Sequence, residues 1–315
     1  MGLQNDDGSR PKAIIWFIAA RPCLRQSLEN LYDNFNNDYR YPVVVFSFGK
    51  QYSGRFKKEV HRDIDAEITF VELEQPQIPS HIPESELFYH RKEIPYVREF
   101  FAPSRIGYLH TNQFVAGSIM KRPEMAGYDY ALKLDDDTFI VDKIDYDLFR
   151  FVRDNGYKFA PFATQDSGHP RARQTQIGLR ELAKEYIAEN KIQPKSTALD
   201  DQGNWTSKAP RDPTIWDLNI FRSDRWENWW RTIDASGGIY AYRWGDLEIH
   251  SLYVQMYYPD SAWHGFDYYK KGIVVHGGHG VVHLDAQGRH RGKRTLARRI
   301  WNRLRRSVGL ESIDA

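Results

Sequence analysis

Apolar runs that alternate with helical patterns make up the first part of the chain. Residues 13–20 are apolar almost without interruption, as expected of a strand buried on both faces. Apolar residues then recur at helical spacing from Leu24 to Phe35, and residues 41–48 and 68–73 have the pattern of two further strands. This order of strands and helices predicts an α/β fold with a parallel sheet in the doubly wound manner.

The pattern continues with longer polar interruptions. The further predicted elements are a loop over 75–86, a helix over 105–120, a strand ending at Asp135, a helix over 146–153, a strand over 157–162, a helix over 175–190, a strand over 217–222, a helix over 226–233, a strand after Gly237 and Gly238, a helix from Asp246, and a strand over 273–275. Residues 191–213 are polar and contain Pro and Gly, so they predict a long flexible loop.

Three consecutive carboxylates, Asp135, Asp136 and Asp137, follow the strand over 130–134. Because side chains alternate along an extended segment, Asp135 and Asp137 are predicted to project to one side. Such oxygens at the carboxyl end of a strand suit Mn²⁺ or Mg²⁺. The spacing fits a solvated, Asp-rich turn equally well. A phosphatase-type loop is disfavoured because Phe139 occupies a position that requires Thr or Val.

A second dense segment runs from Gly237 to Ser251. Asp246, in the first turn of the helix that follows, is expected to be its N-cap. Arg243 can contact phosphate or neighbouring carboxylates. The aromatic rings of Tyr242 and Trp244, together with that of Tyr108, suit stacking on sugar faces.

Glycines and histidines follow the last predicted strand. His276 precedes two glycines, which would let it approach a metal closely. The spacing of His276, His279 and His283 also allows a zinc site, although no cysteine supports one. The first strand is followed by Arg21 rather than by a glycine-rich loop, so a dinucleotide redox cofactor is not expected.

Composition and charge divide the chain unevenly. It has 315 residues, a net charge of +2 and a single cysteine, which excludes an intrachain disulfide. Residues 289–306 carry nine Arg and Lys side chains and no acid. We expect a disordered N-terminus over 1–12, one catalytic domain over 13–287 and a basic amphipathic tail over 288–315.

The tail places apolar residues on one helical face and arginines on the others, which is typical of a helix that lies on a membrane surface. A solvated terminal helix is the alternative, and nucleic-acid binding is not expected. No signal peptide is predicted, and no apolar run is long enough to span a bilayer. We therefore expect a cytoplasmic protein with possible peripheral membrane contact through 289–308.

Three segments together resemble the fungal α-1,2-mannosyltransferases of glycosyltransferase family 15. They are residues 25–39, the run 128–133 that leads into the acids, and residues 237–251, of which Arg-Trp-Gly-Asp followed by His-Ser is the most specific part. The likeness keeps the same order over residues 13–280. It implies a GT-A-like nucleotide-sugar-binding fold with a mixed central sheet and helices on both faces. It also implies GDP-mannose as donor, Mn²⁺ (or Mg²⁺) as cofactor and transfer with retention to a glycan or lipid-linked acceptor.

The resemblance also assigns residues. The metal motif of the family falls on Asp135, Asp136 and Asp137, and its late metal-binding histidine matches His276. Arg21 matches an arginine near the donor nucleotide, and Tyr108 matches a tyrosine in the active-site cleft. With the sugar donor that the resemblance implies, Asp246 is the candidate for holding hydroxyl groups of the sugar or the acceptor.

One departure concerns the glutamate that is the proposed nucleophile of the family. Thr214 occupies its place, so either Asp212 or Asp217 replaces it or the enzyme needs no carboxylate nucleophile. The alternatives to a mannosyltransferase are a GT-A transferase that uses another nucleotide sugar and a non-catalytic glycan-binding relative. A protein that acts on nucleic acid through its tail is a more distant alternative.

Overall fold

The computed structural model describes residues 10–19, 24–49, 52–94, 106–166, 174–199 and 208–276. Arg21 and the basic tail over 288–315 lie outside these ranges. Residues 10–12, ahead of the predicted domain boundary, already contact the folded body: the Arg10 guanidinium lies 4.3 Å from the ring centre of Tyr41. The backbone carbonyl of Lys12 accepts a hydrogen bond of 2.7 Å from the Asp129 amide.

Strands and helices alternate along the first half of the chain. The strands are β1 (Ala13–Ile18), β2 (Val43–Phe48), β3 (Ile68–Leu73), β4 (Tyr130–Asp135), β5 (Thr138–Ile140), β6 (Phe159–Asp166), β7 (Lys208–Asp217) and β8 (Val274–His276). The α-helices are α1 (Leu24–Leu31, extended by a π-helical turn over Tyr32–Asn36 and a last turn over Asn37–Tyr39), α2 (Gly54–Asp63), α3 (Ile106–Ala116), α4 (Leu148–Asp154), α5 (Leu179–Glu189), α6 (Asp224–Ser236), α7 (Gly238–Tyr242), α8 (Asp246–Tyr257) and α9 (Tyr268–Lys271). None of the helices in the described ranges is both long and apolar enough to span a membrane.

The central sheet is mixed. Its strand order is β3-β2-β1-β4-β7-β6, and strands β3, β2, β1 and β4 run parallel to one another. Strand β7 runs antiparallel to both β4 and β6. The parallel opening that the sequence predicts is therefore present, and the antiparallel strand β7 makes the sheet mixed, as the resemblance implies.

Both faces of the sheet are covered by helices. Strand β1 shows the division, since Ile14 and Trp16 face a core with residues of α3, α5, α6 and α8, whereas Ile15 and Phe17 face a core with residues of α1, α2 and α4. Burial on both faces explains why the first strand is apolar without interruption.

The sequence prediction is wrong in the region around β7. The segment 217–222 is not a strand, because β7 ends at Asp217 and Leu218–Arg222 forms a 3-10 helix. The Asp217 side chain caps this helix by accepting a hydrogen bond of 3.0 Å from the Asn219 amide. Residues 208–213, predicted as part of a loop, belong to β7.

The segment after Gly237 is a helix, α7, and not the predicted strand. Gly237 ends α6 with a left-handed φ of +69°, which glycine adopts without strain. The apolar residues Ile239, Tyr240 and Ala241 are consecutive and buried, so their pattern alone does not separate a strand from a helix.

Candidate active site

The side chain of Lys133 lies at the centre of a buried cluster of charges. Lys133 belongs to β4 and is only 5% exposed. Its Nζ donates a hydrogen bond of 3.1 Å to Asp246 Oδ2, donates another to Asp212, and lies 4.0 Å from Asp135 Oδ1. One ammonium group thus holds three carboxylates that come from β4, β7 and the first turn of α8.

The register of the sheet brings these residues together. Lys133 pairs directly with Thr214 of β7, so the two side chains share one face of the sheet. Residues two apart on a strand also share a face, which adds Asp135 on β4 and Asp212 on β7. Helix α8 packs on this face and begins with Asp246, whose preceding residue Gly245 is the N-cap. Asp246 is therefore the first residue of the helix and not its cap.

The charges of the cluster influence one another strongly. Burial alone would lower the pKa of Lys133, but the attraction of Asp212, Asp246 and Asp135 outweighs it and raises that pKa well above its ordinary value. Burial raises the pKa of Asp212, against the lowering effect of Lys133, and the charges of Asp246 and Asp135 add to the rise. With one cation and three carboxylates, the cluster attracts positive charge.

The acidic run lies where β4 ends. Asp135 is the last residue of β4, Asp136 and Asp137 form a turn, and β5 begins at Thr138. The alternation argument that put Asp135 and Asp137 on one side of a single strand is wrong, because the strand ends before Asp137. Both Asp136 and Asp137 are buried.

His276 is close to this turn in the fold. Strands β5 and β8 form a two-stranded antiparallel sheet in which His276 pairs with Thr138, the residue that follows Asp137. The side chain of His276 is outside the described part of the structure. Within that part, no three His, Cys, Asp or Glu side chains are grouped closely enough to hold a metal ion.

These residues fit a hard divalent cation by their chemistry and their chain positions. Two carboxylates and an imidazole, supplied by Asp135, Asp137 and His276, are donors that Mn²⁺ accepts. The backbone pairing between β5 and β8 places His276 beside the acidic turn. The paired residues Thr138 and His276 are 138 positions apart in the sequence.

The three predicted aromatic residues differ in their surroundings. Tyr108 is 41% exposed, and its ring lies 4.5 Å from the guanidinium of Arg243. Tyr242 is partly buried, with the guanidinium of Arg91 at 4.4 Å from its ring centre. Tyr108 of α3 is thus exposed, and its ring packs against the half-buried side chain of Arg243, which lies between α7 and α8.

Trp244 is a core residue, so the prediction that it stacks on a sugar is wrong. It is 3% exposed, and its Nε1 donates a hydrogen bond of 2.7 Å to the Ile177 carbonyl. Its ring lies against Gly238, where a Cβ atom would overlap it. This close approach accounts for the glycine at position 238.

Comparison with known proteins identifies the family. Residues 1–287 match the family described as Glycolipid 2-alpha-mannosyltransferase. The chain belongs to this family. It is 28% identical over 284 residues to the "Probable mannosyltransferase KTR3" of Saccharomyces cerevisiae, and this alignment covers 83% of the chain and 66% of that relative. It is 27% identical over 256 residues to the "Alpha-1,2 mannosyltransferase KTR1" of the same yeast, covering 77% of the chain and 63% of the relative. The chain thus spans less than two thirds of the length of these relatives.

Solved structures show the same fold. The mannosyltransferase Ktr4p from S. cerevisiae in complex with GDP aligns with a TM-score of 0.73 at 19% identity, over 90% of this chain and 76% of that chain. Core-mannan synthase A (CmsA/Ktr4) from Aspergillus fumigatus in its Mn/GDP form aligns with a TM-score of 0.70 at 18% identity, over 84% of this chain and 75% of that chain. The fold of this family member is therefore of the GT-A type.

The structure describes all three residues that were considered at the position of the nucleophile, Thr214, Asp212 and Asp217. Thr214 is fully buried and faces the cluster beside Lys133. Asp217 pairs with Tyr130 at the opposite end of β4 and binds Lys158 Nζ at 2.6 Å. The structure brings Asp212 and Thr214 to the cluster and leaves Asp217 roughly 17 Å away along the strand, given a rise of about 3.3 Å per residue.

The His-Ser pair, the end of the most specific motif, lies in the core. His250 and Ser251 are fully buried, and His250 Nε2 donates a hydrogen bond of 2.9 Å to the Ala116 carbonyl. Burial lowers the pKa of His250 to about 4. His250 therefore joins α8 to α3, whereas the Ser251 hydroxyl accepts a hydrogen bond of 3.0 Å from the Gln255 amide within α8.

The neutral state of His250 predicts a loss of stability in acid. Its pKa is lower in the folded than in the unfolded state, so the unfolded chain binds more protons below about pH 6.5 and stability falls as the pH falls toward 4. Replacing His250 by Gln should remove about 2 kcal/mol of the difference in unfolding free energy between pH 7 and pH 5. Urea denaturation of both proteins at both pH values measures this difference. An equal pH dependence in the two proteins would contradict it.

Proposed function

We propose that this protein is a retaining, metal-dependent α-mannosyltransferase that moves mannose from GDP-mannose to a hydroxyl group of a glycan or glycolipid acceptor. The relatives named above are mannosyltransferases, and two structures with this fold contain GDP, one of them with Mn. The observation that carries the proposal is the buried cluster of Lys133, Asp212, Asp246 and Asp135 beside the acidic turn, at the carboxyl end of β4. Ligands of open α/β sheets bind at this end of the strands.

The cofactor in this proposal is Mn²⁺ or Mg²⁺. Asp135, Asp137 and His276 would hold it, and when bound it would offset the negative charge that grows on the departing pyrophosphate. Asp136, buried in the same turn, and Arg21, by its match to the family, are assigned to the nucleotide side of the site. Arg21 stays a prediction because it lies outside the described residues.

Asp246 is assigned to the sugar and acceptor side. Lys133 fixes its carboxylate at 3.1 Å, and its place in the first turn of α8 lets the helix dipole stabilise its negative charge. An ionised carboxylate held in this way accepts hydrogen bonds from sugar hydroxyl groups. Tyr108, whose ring packs against the Arg243 guanidinium, lies close enough for the charge of Asp246 to act on the Tyr108 hydroxyl, so an aromatic ring and a guanidinium lie near Asp246.

The cluster favours transfer without a covalent enzyme intermediate. Thr214 offers no carboxylate, and Asp212 is already bound by Lys133. We therefore infer that the acceptor hydroxyl attacks from the face that the leaving group vacates, and that the leaving phosphate takes its proton. The C–O bond to the acceptor forms as the C–O bond to the phosphate breaks, and the anomeric configuration is retained.

A donor screen tests the proposed function. With Mn²⁺ present, GDP-mannose at a hundredfold excess over its dissociation constant should stabilise the folded protein by about 2.7 kcal/mol, whereas UDP-sugars at the same concentration should not. Thermal unfolding detects the shift, and release of GDP on addition of mannosides measures turnover. Turnover of a UDP-sugar alone would indicate a GT-A transferase of different donor specificity. Sugar binding without turnover of any nucleotide sugar would indicate a non-catalytic glycan-binding relative, as Thr214 would allow.

Membrane contact through 289–308, delivery of a lipid-linked acceptor and a cytoplasmic location stay predictions. The segment that would carry the contact lies outside the described residues.

A further inference from the structure

Residues 25–39, one of the three segments that resemble the family, contain neither a member of the charge cluster nor a proposed metal ligand. They form most of α1 and the turns that extend it. The leucines of α1 are buried in the core on one side of the sheet. Ser27 and Asn30, three residues apart and therefore neighbours on the helix surface, lie against β5. Because β5 follows the acidic turn, this segment meets the proposed site through β5.

The side chains of Ser27 and Asn30 bond to the backbone of β5. The buried Ser27 hydroxyl donates a hydrogen bond of 2.8 Å to the Thr138 carbonyl. Asn30 makes two bonds with Ile140: its Oδ1 accepts from the Ile140 amide at 2.6 Å, and its Nδ2 donates to the Ile140 carbonyl at 3.0 Å. Two side chains of a helix thus supply the partners that a neighbouring strand would otherwise supply.

The opposite edge of β5 is paired with β8. Backbone groups of successive residues in a strand point alternately to its two edges, so those of residues 138 and 140 point to α1 and those of the next residue in each case point to β8. The Val141 amide accordingly donates a hydrogen bond of 2.6 Å to the Ile273 carbonyl. A sheet of two strands is only marginally stable by itself. The contacts with α1 are therefore needed to fix β5, and with it the strand that ends at residue 276.

The two ends of the acidic turn are attached to consecutive elements of the chain. Before the turn, Asp135 of β4 pairs with Ile18, the last residue of β1. After the turn, the Thr138 carbonyl is bound by Ser27 of α1, the helix that follows β1. The two aspartates between these attachments are buried. Their positions thus depend on β4 from one side and on the contact of β5 with α1 from the other.

We propose that Ser27 and Asn30 are positioning residues of the metal site, which fix the backbone of β5 and so hold Asp137 and residue 276 in place for a divalent cation. The hydrogen bonds are features of the fold itself, whereas their effect on a metal rests on the proposed function. Groups that orient the ligands of a metal typically contribute roughly ten- to a hundredfold to its affinity.

Three variants test the positioning role. Asn30→Ala removes both bonds to Ile140. Ser27→Ala removes the single bond to Thr138, a smaller change that keeps the test possible if Asn30→Ala does not fold. Asn36→Ala is the matched control, described next.

Asn36 makes the same pair of bonds as Asn30, but with a different strand. Its side chain is fully buried, accepts a hydrogen bond of 2.9 Å from the Tyr41 amide and donates one of 2.8 Å to the Tyr41 carbonyl. Tyr41 precedes β2, which is two strands away from β4 in the central sheet. Asn36→Ala therefore costs the fold an equivalent pair of bonds while the bonds of α1 to β5 stay in place.

Two measurements on the whole chain separate positioning from stability. Titration with Mn²⁺ alone, followed by the electron paramagnetic resonance signal of the free ion, should show binding to Asn30→Ala at least about tenfold weaker than to the unmodified protein, and unchanged binding to Asn36→Ala. Ser27→Ala should show a smaller loss in the same direction. In the metal-free proteins, NMR should show the Ile140 amide exchanging its hydrogen at least about tenfold faster in Asn30→Ala than in Asn36→Ala.

The possible results distinguish this role from the proposed function. Equal Mn²⁺ affinity in the unmodified protein, Ser27→Ala and Asn30→Ala would overturn the positioning role alone. An equal loss of affinity in Asn36→Ala would also overturn it, because the loss would then follow from lower stability of the fold. An unmodified protein that binds no Mn²⁺ would overturn both the metal-dependent function and the positioning role. Loss of affinity confined to Ser27→Ala and Asn30→Ala, in a protein that turns over no nucleotide sugar, would support the positioning role and refute the transferase.

Discussion

Replacing Lys133 by Met is expected to lower the free energy of unfolding by about 3–5 kcal/mol. Methionine keeps the length of the side chain but leaves Asp212, Asp246 and Asp135 as buried neighbours without their common cation. The raised pKa of Lys133 keeps it charged throughout the neutral range, so the loss applies at physiological pH. Mannosyl transfer should fall at least about a hundredfold, because Asp246 loses the contact that fixes it and a small misplacement of a catalytic group costs about that much. Urea denaturation and initial rates of transfer measure the two effects.

Two further variants separate the effect of Lys133 on the position of Asp246 from its effect on the stability of the fold. Lys158→Met removes the lysine partner of Asp217 at the opposite end of β7; Lys158 itself directly precedes β6, and its side chain is 33% exposed. Asp217 is buried but keeps its hydrogen bonds from Asn219, so this variant should lose less stability than Lys133→Met and leave transfer unchanged. Adding Asp212→Asn to Lys133→Met removes one of the uncompensated charges, so it should recover part of the stability without recovering transfer. Full transfer activity in Lys133→Met would show that Lys133 is not needed to position Asp246.

The sequence predicts the parallel part of the fold because each element there has one dominant pattern. Strand β1 is apolar throughout, and α1 has apolar residues at helical spacing. The region around β7 has no such pattern. Lys208–Asp217 contains Pro210, Pro213 and four charged residues, and only Ile215 and Trp216 near its end enter the apolar cores, whereas Asp212 enters the charge cluster. Strand propensity is weak there, and pairing with β4 and β6 decides the structure.

The candidate site was predicted in part. The acidic run and Asp246 are recognisable because carboxylates stand at the end of a strand and the start of a helix. The role of Lys133 was missed, although a lysine in the middle of a buried strand is itself a signal that carboxylates lie opposite. The partners come from 79 and 113 positions further along the chain, which no local pattern contains. Trp244 was misassigned for a related reason, since the sequence does not distinguish an aromatic ring in a core from one on a surface.

Replacing Asp137 by Asn is expected to weaken Mn²⁺ binding and to lower mannosyl transfer by roughly a thousandfold. Several kcal/mol of charge stabilisation on the leaving group depend on the cation, and 1.36 kcal/mol corresponds to a factor of ten in rate. The amide keeps the size of the buried side chain but lacks the negative charge that a hard cation prefers. Titration of the protein with Mn²⁺, followed by the electron paramagnetic resonance signal of the free ion, measures binding independently of activity.

The matched control is Asp145→Asn, the same chemical change at an exposed aspartate that follows β5 by a few residues. It should bind Mn²⁺ and transfer mannose as the unmodified protein does. His276→Ala tests the other side of the turn, because β8 places residue 276 opposite Thr138. This variant, like Asp137→Asn, should lose Mn²⁺ affinity. The double variant should lose less binding free energy than the sum of the two separate losses. Fully additive losses would mean that the two residues serve different sites, and the pairing of β5 with β8 would then have no part in holding a cation.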